Sequence, residues 1–204
     1  MNATKDWTGG KTAVYKIIGA SNHAVDGERE EDDYYATDPI AVDKLLTAVE
    51  IPFEVWECAC GGGHLSERLI QHGKDVISTD LKDRGYTRGM GGVDFLQTIK
   101  TPFRGNGAIV TNPPYKYAKE FVYHALELLK EGELCCMFLK LTFLEGKERR
   151  KLFKKYPPEK VLVFSERVKC AKGGNFAGVG GSAVCYAWFV YRKGYTGKTT
   201  LEWI

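Results

Sequence analysis

The chain has 204 residues, a net charge of +3, 44% hydrophobic and 27% charged residues. That balance suits a single globular domain of about 100 to 200 residues and excludes disordered, collagen-like and fibrous classes. The longest unbroken apolar run, Ala183 to Tyr191, falls well short of the roughly 20 residues a membrane-spanning helix needs, so no membrane partner is expected.

The opening stretch, MNATKDWTGGKTAVYK, carries no apolar segment of signal-peptide length, which points to the cytoplasm. In that reducing setting the six cysteines are expected as free thiols. Cys58, Cys60 and His64 have no second CxxC or HxxxH partner, so no metal site is expected.

Residues 1–34 read as a partly ordered arm that ends in an acidic stretch, Asp26, Glu28, Glu30, Glu31, Asp32 and Asp33. Residues 35–204 read as one domain. Its first element is a helix in TDPIAVDKLLTAVE, capped by Thr37 or Asp38, opened by Pro39 and patterned by Ala41, Leu45 and Val49. FEVWECAC (53–60) predicts a buried strand, the glycines after it a tight turn, and HLSERLIQHG a helix stopped by Gly73. DVISTD (75–80), GVDFL and GAIVT (107–111) predict three more strands, and KEFVYHALELLKEG an amphipathic helix closing on Gly132.

ELCCMFLKL predicts a fifth strand, Lys147 to Tyr156 a basic helix, and VLVFSERV (161–168) and SAVCYAWFVYRK (182–193) a final antiparallel pair. Between the last two lies a glycine-rich segment, KGGNFAGVGG, expected to be mobile. Trp56, Trp188, Phe189 and Tyr191 fall in apolar strands and are expected as packing residues. The alternation of strands and helices implies a mostly parallel seven-stranded sheet with helices on both faces and an antiparallel C-terminal strand. Ligand sites are then expected at the carboxyl ends of the strands.

Two constellations sit at such ends. Glu57, Ala59, Gly61, Gly62 and Gly63 follow the first strand, and Asp80 ends the second. Glycine permits close approach of backbone to a ligand, and a carboxylate in that place can accept both hydroxyls of a ribose. The third glycine of a dinucleotide fingerprint is replaced by Ser66, so a pyrophosphate is not the expected ligand. The second constellation is Asn112, Pro113, Pro114 and Tyr115, directly after GAIVT. Two prolines in a row remove two backbone donors and leave carbonyl acceptors in a rigid turn.

These residues resemble the class I S-adenosylmethionine-dependent methyltransferases, specifically the amino-methyltransferases with an NPPY catalytic motif. The resemblance implies a Rossmann-like α/β fold and S-adenosyl-L-methionine as cofactor. It is similar in layout to small phage and prophage methyltransferases of the adenine-N6 DNA type. ECACGGG looks like the cofactor loop, with Glu57, Ala59, Gly61 and Gly63. Asp80 and Leu81 look like the ribose-binding strand end, and Asp94 and Phe95 in VDFL like the adenine-recognition segment. Tyr35, Thr37 and Pro39 occupy the place of the segment that closes over the methionine part of the cofactor. The resemblance makes Asn112 and the Pro113 carbonyl the groups that hold an amine and turn its lone pair toward the methyl sulfonium, with Pro114 rigidifying the turn. Tyr115 would stack on the planar acceptor, flipped out of the helix if it is a base.

NPPY serves adenine N6 and glutamine amides alike. Lys147, Arg149, Arg150, Lys151, Lys154, Lys155 and Lys160, against Glu148 and Glu159, favour nucleic acid, DNA first. Arg167, Lys169, Lys172 and Phe176 flank or occupy the glycine-rich segment and are substrate-binding candidates. The residues after Tyr115 are consumed by core elements, so no separate target-recognition domain is expected, and with it low sequence specificity, a short target or a partner that supplies recognition. RNA adenine or a protein glutamine as acceptor, and a non-catalytic cofactor-binding protein, are the alternatives.

Overall fold

In the computed structural model the described residues are 35–172, 174, 176 and 184–204. The acidic arm and most of the glycine-rich segment, together with the side chain of Lys172, lie outside them. Short β1 (Tyr35–Thr37) leads through Pro39 into α1 (Ile40–Ala48), where the Asp38 carboxylate accepts from the Ile40 N–H at 3.1 Å. β2 (Glu54–Glu57), α2 (His64–Gln71), β3 (Asp75–Thr79), β4 (Gly89–Met90) and β5 (Gly107–Thr111) follow. Next come α3 (Ala118–Leu128), β6 (Leu134–Lys140), α4 (Lys147–Lys155), β7 (Lys160–Val163), β8 (Cys170–Lys172), β9 (Tyr186–Arg192) and β10 (Thr200–Trp203).

The main sheet has eight strands in the order β10-β7-β9-β6-β5-β2-β3-β4, one more than expected. Only β9 runs antiparallel to its neighbours, which pair with it as Lys140↔Tyr186 and Lys160↔Val190. The expected antiparallel pair is thus present, while β10 adds itself in parallel to β7. The sequence of β10, TLEW, is too short and too polar to register as a strand, and backbone pairing with β7 decides it. GVDFL is not a strand. Asp94 accepts from the Leu96 N–H at 3.0 Å and turns Phe95–Gln97 into a 3-10 helix, leaving Gly89–Met90 to pair with β3. β1 and β8 form a separate two-stranded antiparallel ribbon in which Thr37 faces Cys170.

Both faces of the sheet are covered, which is why its central strands read as continuous apolar runs. Successive residues of β6 alternate between two cores: Cys135, Met137 and Leu139 pack with α3 and α4, and Leu134, Cys136 and Phe138 pack with α1 and α2. The adjacent thiols Cys135 and Cys136 therefore point to opposite faces, and both are buried and free. Trp56, Trp188, Phe189 and Tyr191 are all at most 2% exposed, as packing residues should be. The two tryptophans also find partners. Trp56 Nε1 donates to Thr79 Oγ1 at 2.9 Å and Trp188 Nε1 to the Ala41 carbonyl at 2.8 Å, which ties α1 to the sheet. Among the described residues no helix is long and apolar enough to cross a membrane.

Candidate active site

β2, β3 and β5 are adjacent and parallel, so their carboxyl ends open on one side, and there a cavity of about 520 Å³ is found. It is in the size range of pockets that hold a small organic cofactor. Glu57 and Ala59 come to it from β2, Asp80 and Leu81 from β3, and Asp94 and Phe95 from the 3-10 turn. Asn112, Pro113 and Pro114 come from β5, and Tyr35 and Thr37 from the ribbon. The order of the main sheet thus gathers the strand ends, and the separate ribbon brings Tyr35 and Thr37 to them.

Asp80 is built into the glycine turn. Its Oδ2 accepts from the Gly61 N–H at 2.8 Å and its Oδ1 from the Lys82 N–H at 2.9 Å, with Arg84 Nε 3.9 Å from Oδ1. Gly61 therefore serves the site through Asp80 and does not line the cavity itself. Gly63 does not line it either. Its φ is +81°, and a Cβ there would stand 2.4 Å from the ring of Tyr86, whose hydroxyl donates to Glu67 at 2.7 Å. The glycine is required by close packing of that ring, not by a ligand. Pro39 opens α1, its carbonyl accepting from Val42 at 2.9 Å, and stands off the cavity.

Glu57 is 2% exposed and accepts from the Ser66 hydroxyl, which is itself 2.6 Å from Ser78 Oγ. Ser66, the residue in the place of a fingerprint glycine, is thus the anchor of a buried carboxyl. Burial pushes Glu57 up to about 8, against 4.5 for an ordinary glutamate, with the nearby Asp80 charge adding to the effect. Between pH 4.5 and 8 the folded chain holds a proton that the unfolded chain has released. Stability contributed by this neutral carboxyl is complete below about pH 4.5 and is lost as pH rises through 8, by up to about 1.4 kcal/mol per pH unit. Glu57→Gln keeps an acceptor for Ser66 and cannot ionise. Its urea midpoint is expected to gain on the wild type from pH 5 to pH 8; a difference constant with pH would show that the carboxyl is already charged in the folded chain.

The opposite wall is organised by Asn112. Its Nδ2 donates to the Tyr35 carbonyl at 3.1 Å and to Thr37 Oγ1 at 2.8 Å. Because a backbone carbonyl only accepts, these bonds fix which end of the amide is nitrogen. The buried Oδ1 is left without a hydrogen-bond partner. Beside it, no donor from the described residues reaches the Pro113 carbonyl, whereas that of Pro114 accepts from Tyr117 N–H at 2.9 Å. Two residues that line the cavity, Asn112 and Pro113, therefore each carry an acceptor with no hydrogen-bond partner among the described residues.

Phe95 forms the apolar floor, 2% exposed and edge-on to Trp56 at 5.2 Å. Leu81 is 61% exposed on the rim, and Asp94 keeps one oxygen outside its bond to Leu96. Tyr115 departs from expectation: its ring does not line the cavity. It packs beside Tyr186 at 6.3 Å, with the Lys140 ammonium 4.5 Å from its centroid. Tyr117, 44% exposed, is the aromatic at the mouth, together with Lys116.

His64, which directly follows the glycines and is set aside as a metal ligand on the sequence, is a further residue of the site. It lines the cavity at the start of α2, and burial lowers its affinity for a proton. Phe176 lies edge-on to it at 5.5 Å, and Gly174 approaches so closely that a Cβ would come within 2.8 Å of the imidazole. Phe176 thus covers His64 and is not itself on the cavity wall. Arg167 is exposed and donates to Cys185 Sγ at 3.0 Å, while the Lys169 carbonyl accepts from Asp38; neither reaches the cavity. Among the described residues no group of three or more His, Cys, Asp or Glu side chains is placed to hold a metal ion.

No protein-family profile and no curated protein matches the chain by sequence. Solved structures do resemble it. A candidate hemolysin from Lactococcus lactis is 12% identical over 81% of this chain and 91% of its own, with a TM-score of 0.58. A candidate class I S-adenosylmethionine-dependent methyltransferase from Listeria monocytogenes is 10% identical over 95% of this chain and 71% of its own, with a TM-score of 0.54. A candidate RNA methyltransferase from Pyrococcus horikoshii is 14% identical over 90% of this chain and 99% of its own, also at 0.54. At such identities the likeness is one of architecture, and the chain accordingly has a Rossmann-like α/β fold shared with class I S-adenosylmethionine-dependent methyltransferases.

Proposed function

We propose that the chain is an S-adenosylmethionine-dependent N-methyltransferase whose acceptor is the exocyclic N6 of adenine in nucleic acid, DNA first. The observation that carries this reading is the buried, unpartnered Oδ1 of Asn112 next in sequence to a Pro113 carbonyl that no donor of the described residues reaches. A buried acceptor without a donor costs about 1–3 kcal/mol and calls for a ligand that supplies one. An exocyclic amine supplies two.

The residues of the cavity fit the cofactor. Asp80 offers carboxylate oxygens for a ribose, Leu81 and Phe95 an apolar slot for a base, Asp94 a carboxylate oxygen for its amine, and Glu57 a buried carboxyl that a cation would charge. The bound cofactor supplies an electrophilic methyl group on a sulfonium. Asn112 and Pro113 accept the two hydrogens of the amine, which is a poor nucleophile while its lone pair is delocalised into the ring, and so turn that lone pair toward the methyl group. Positioning of this kind carries most of the rate in a two-substrate reaction. Thr37 and the Tyr35 carbonyl hold the Asn112 amide in place. For Tyr115 to stack on the acceptor its ring has to leave its place between Tyr186 and the Lys140 ammonium.

Incubation with methyl-labelled cofactor and unmethylated DNA, followed by hydrolysis to nucleosides, is expected to place label on N6-methyladenine. The Pyrococcus protein's description makes RNA the second pool to assay. Label only in RNA, or only on protein glutamine, would move the acceptor and leave the chemistry. Cofactor binding with no label in any pool would overturn the catalytic reading.

A further inference from the structure

The basic helix α4 is not uniformly available to a ligand. Arg149 donates to the carbonyls of Glu145 and Thr142 and lies over the Phe143 ring. Lys151 pairs with Glu148 at 2.7 Å, and Lys155 sits over the rings of Tyr123 and Tyr156. Lys160, already in β7, pairs with Glu202 at 3.2 Å. What remains is Lys147, Arg150 and Lys154, spaced i, i+3, i+7 on one helical face and all exposed, with no ion pair among the described residues. With Leu144, Gly146 and Phe153 they line an open depression of about 550 Å³.

We propose that this face docks the phosphodiester backbone of the nucleic-acid acceptor, an inference that rests on the acceptor being nucleic acid. Three exposed cations on one face, without an ion pair among the described residues, match a polyanion, and none of the described residues that line the depression is acidic. Over seven residues they span about 10 Å along the helix axis. That is about three steps of 3.4 Å of rise per nucleotide, the axial span of about four successive phosphates of one strand. The patch also begins at the right end of the sheet. β6 adjoins β5, and the chain passes from Lys140 through the 3-10 turn Leu141–Leu144 into α4, so Lys147 lies at the same carboxyl edge as Asn112. Phe153 and Leu144 give sugars and bases an apolar floor.

The test is fluorescence anisotropy of a labelled duplex with wild type and with the triple variant Lys147→Ala, Arg150→Ala, Lys154→Ala, over a salt series. Loss of three phosphate contacts is expected to weaken binding about 10²-fold at 0.1 M salt and to reduce the slope of log affinity against log salt by about 3. The charge-preserving variant Lys147→Arg, Arg150→Lys, Lys154→Arg should keep both, and cofactor affinity should be unchanged in all three proteins. A triple variant with the wild-type slope overturns the inference, as does a wild type that binds anionic vesicles through these residues and no nucleic acid. A wild type that binds nucleic acid through this face and methylates none would instead remove the proposed acceptor and leave the docking surface standing.

Discussion

Asn112→Ala is expected to lower methyl transfer about 10²- to 10³-fold, the usual cost of deleting one positioned polar group that acts on the reacting centre. The loss has two sources. The acceptor Oδ1 disappears, so the amine is no longer turned, and the Tyr35 carbonyl and Thr37 hydroxyl lose their donor, so β1 is no longer tied to the NPPY turn. Thr37 is 2% exposed, and a buried group left unpaired costs about 1–3 kcal/mol, which should appear in the urea midpoint. Asn112→Asp separates the two sources. It retains an acceptor oxygen while removing both donors, and should keep more transfer activity than Ala at a similar cost in stability. Transfer by Asn112→Ala at the wild-type rate would remove Asn112 from the catalytic role, however tightly cofactor binds.

The largest effect on stability is expected at Gly63. Alanine there would be held at φ +81°, a left-handed conformation that costs an L-residue about 1–2 kcal/mol. Its Cβ would also stand 2.4–2.6 Å from three ring atoms of Tyr86, and such overpacking typically adds about 1–3 kcal/mol. The ring cannot simply swing away without breaking the 2.7 Å bond from its hydroxyl to Glu67. Together these are a large share of the about 5–15 kcal/mol that holds a domain folded. Introduced into a Tyr86→Ala background, Gly63→Ala should cost only the conformational part. Equal destabilisation in both backgrounds would mean that the ring is not what excludes a side chain.

Elements with a strong local signal were legible from the chain alone. The amphipathic spacing of α1, α2 and α3, the continuous apolar runs of β5, β6 and β9, and the stop at Gly73 all lie where the sequence places them, because periodicity and left-handed glycine are local properties. β10 and the β1–β8 ribbon were not legible. Each is three or four residues long and owes its strand character to hydrogen bonds with a segment remote in sequence. VDFL reads as a strand by apolar content, yet the Asp94 carboxylate caps Leu96 and makes it a helical turn.

The candidate site divides in the same way. Glycine next to a strand end, Asp80, and an Asn-Pro-Pro-Tyr turn are chemical types in fixed order, and residue type alone names what they can accept or donate. Sequence by itself determined that an acceptor-rich turn follows one apolar strand and a glycine turn another. Tertiary structure decided which groups are spent and which are open: Gly63 on Tyr86, Gly61 on Asp80, Tyr115 beneath Lys140, and three of the cations of α4 on partners within the chain. Availability of a polar group depends on what lies within about 3 Å of it, and those neighbours come from elements that only the sheet order brings together.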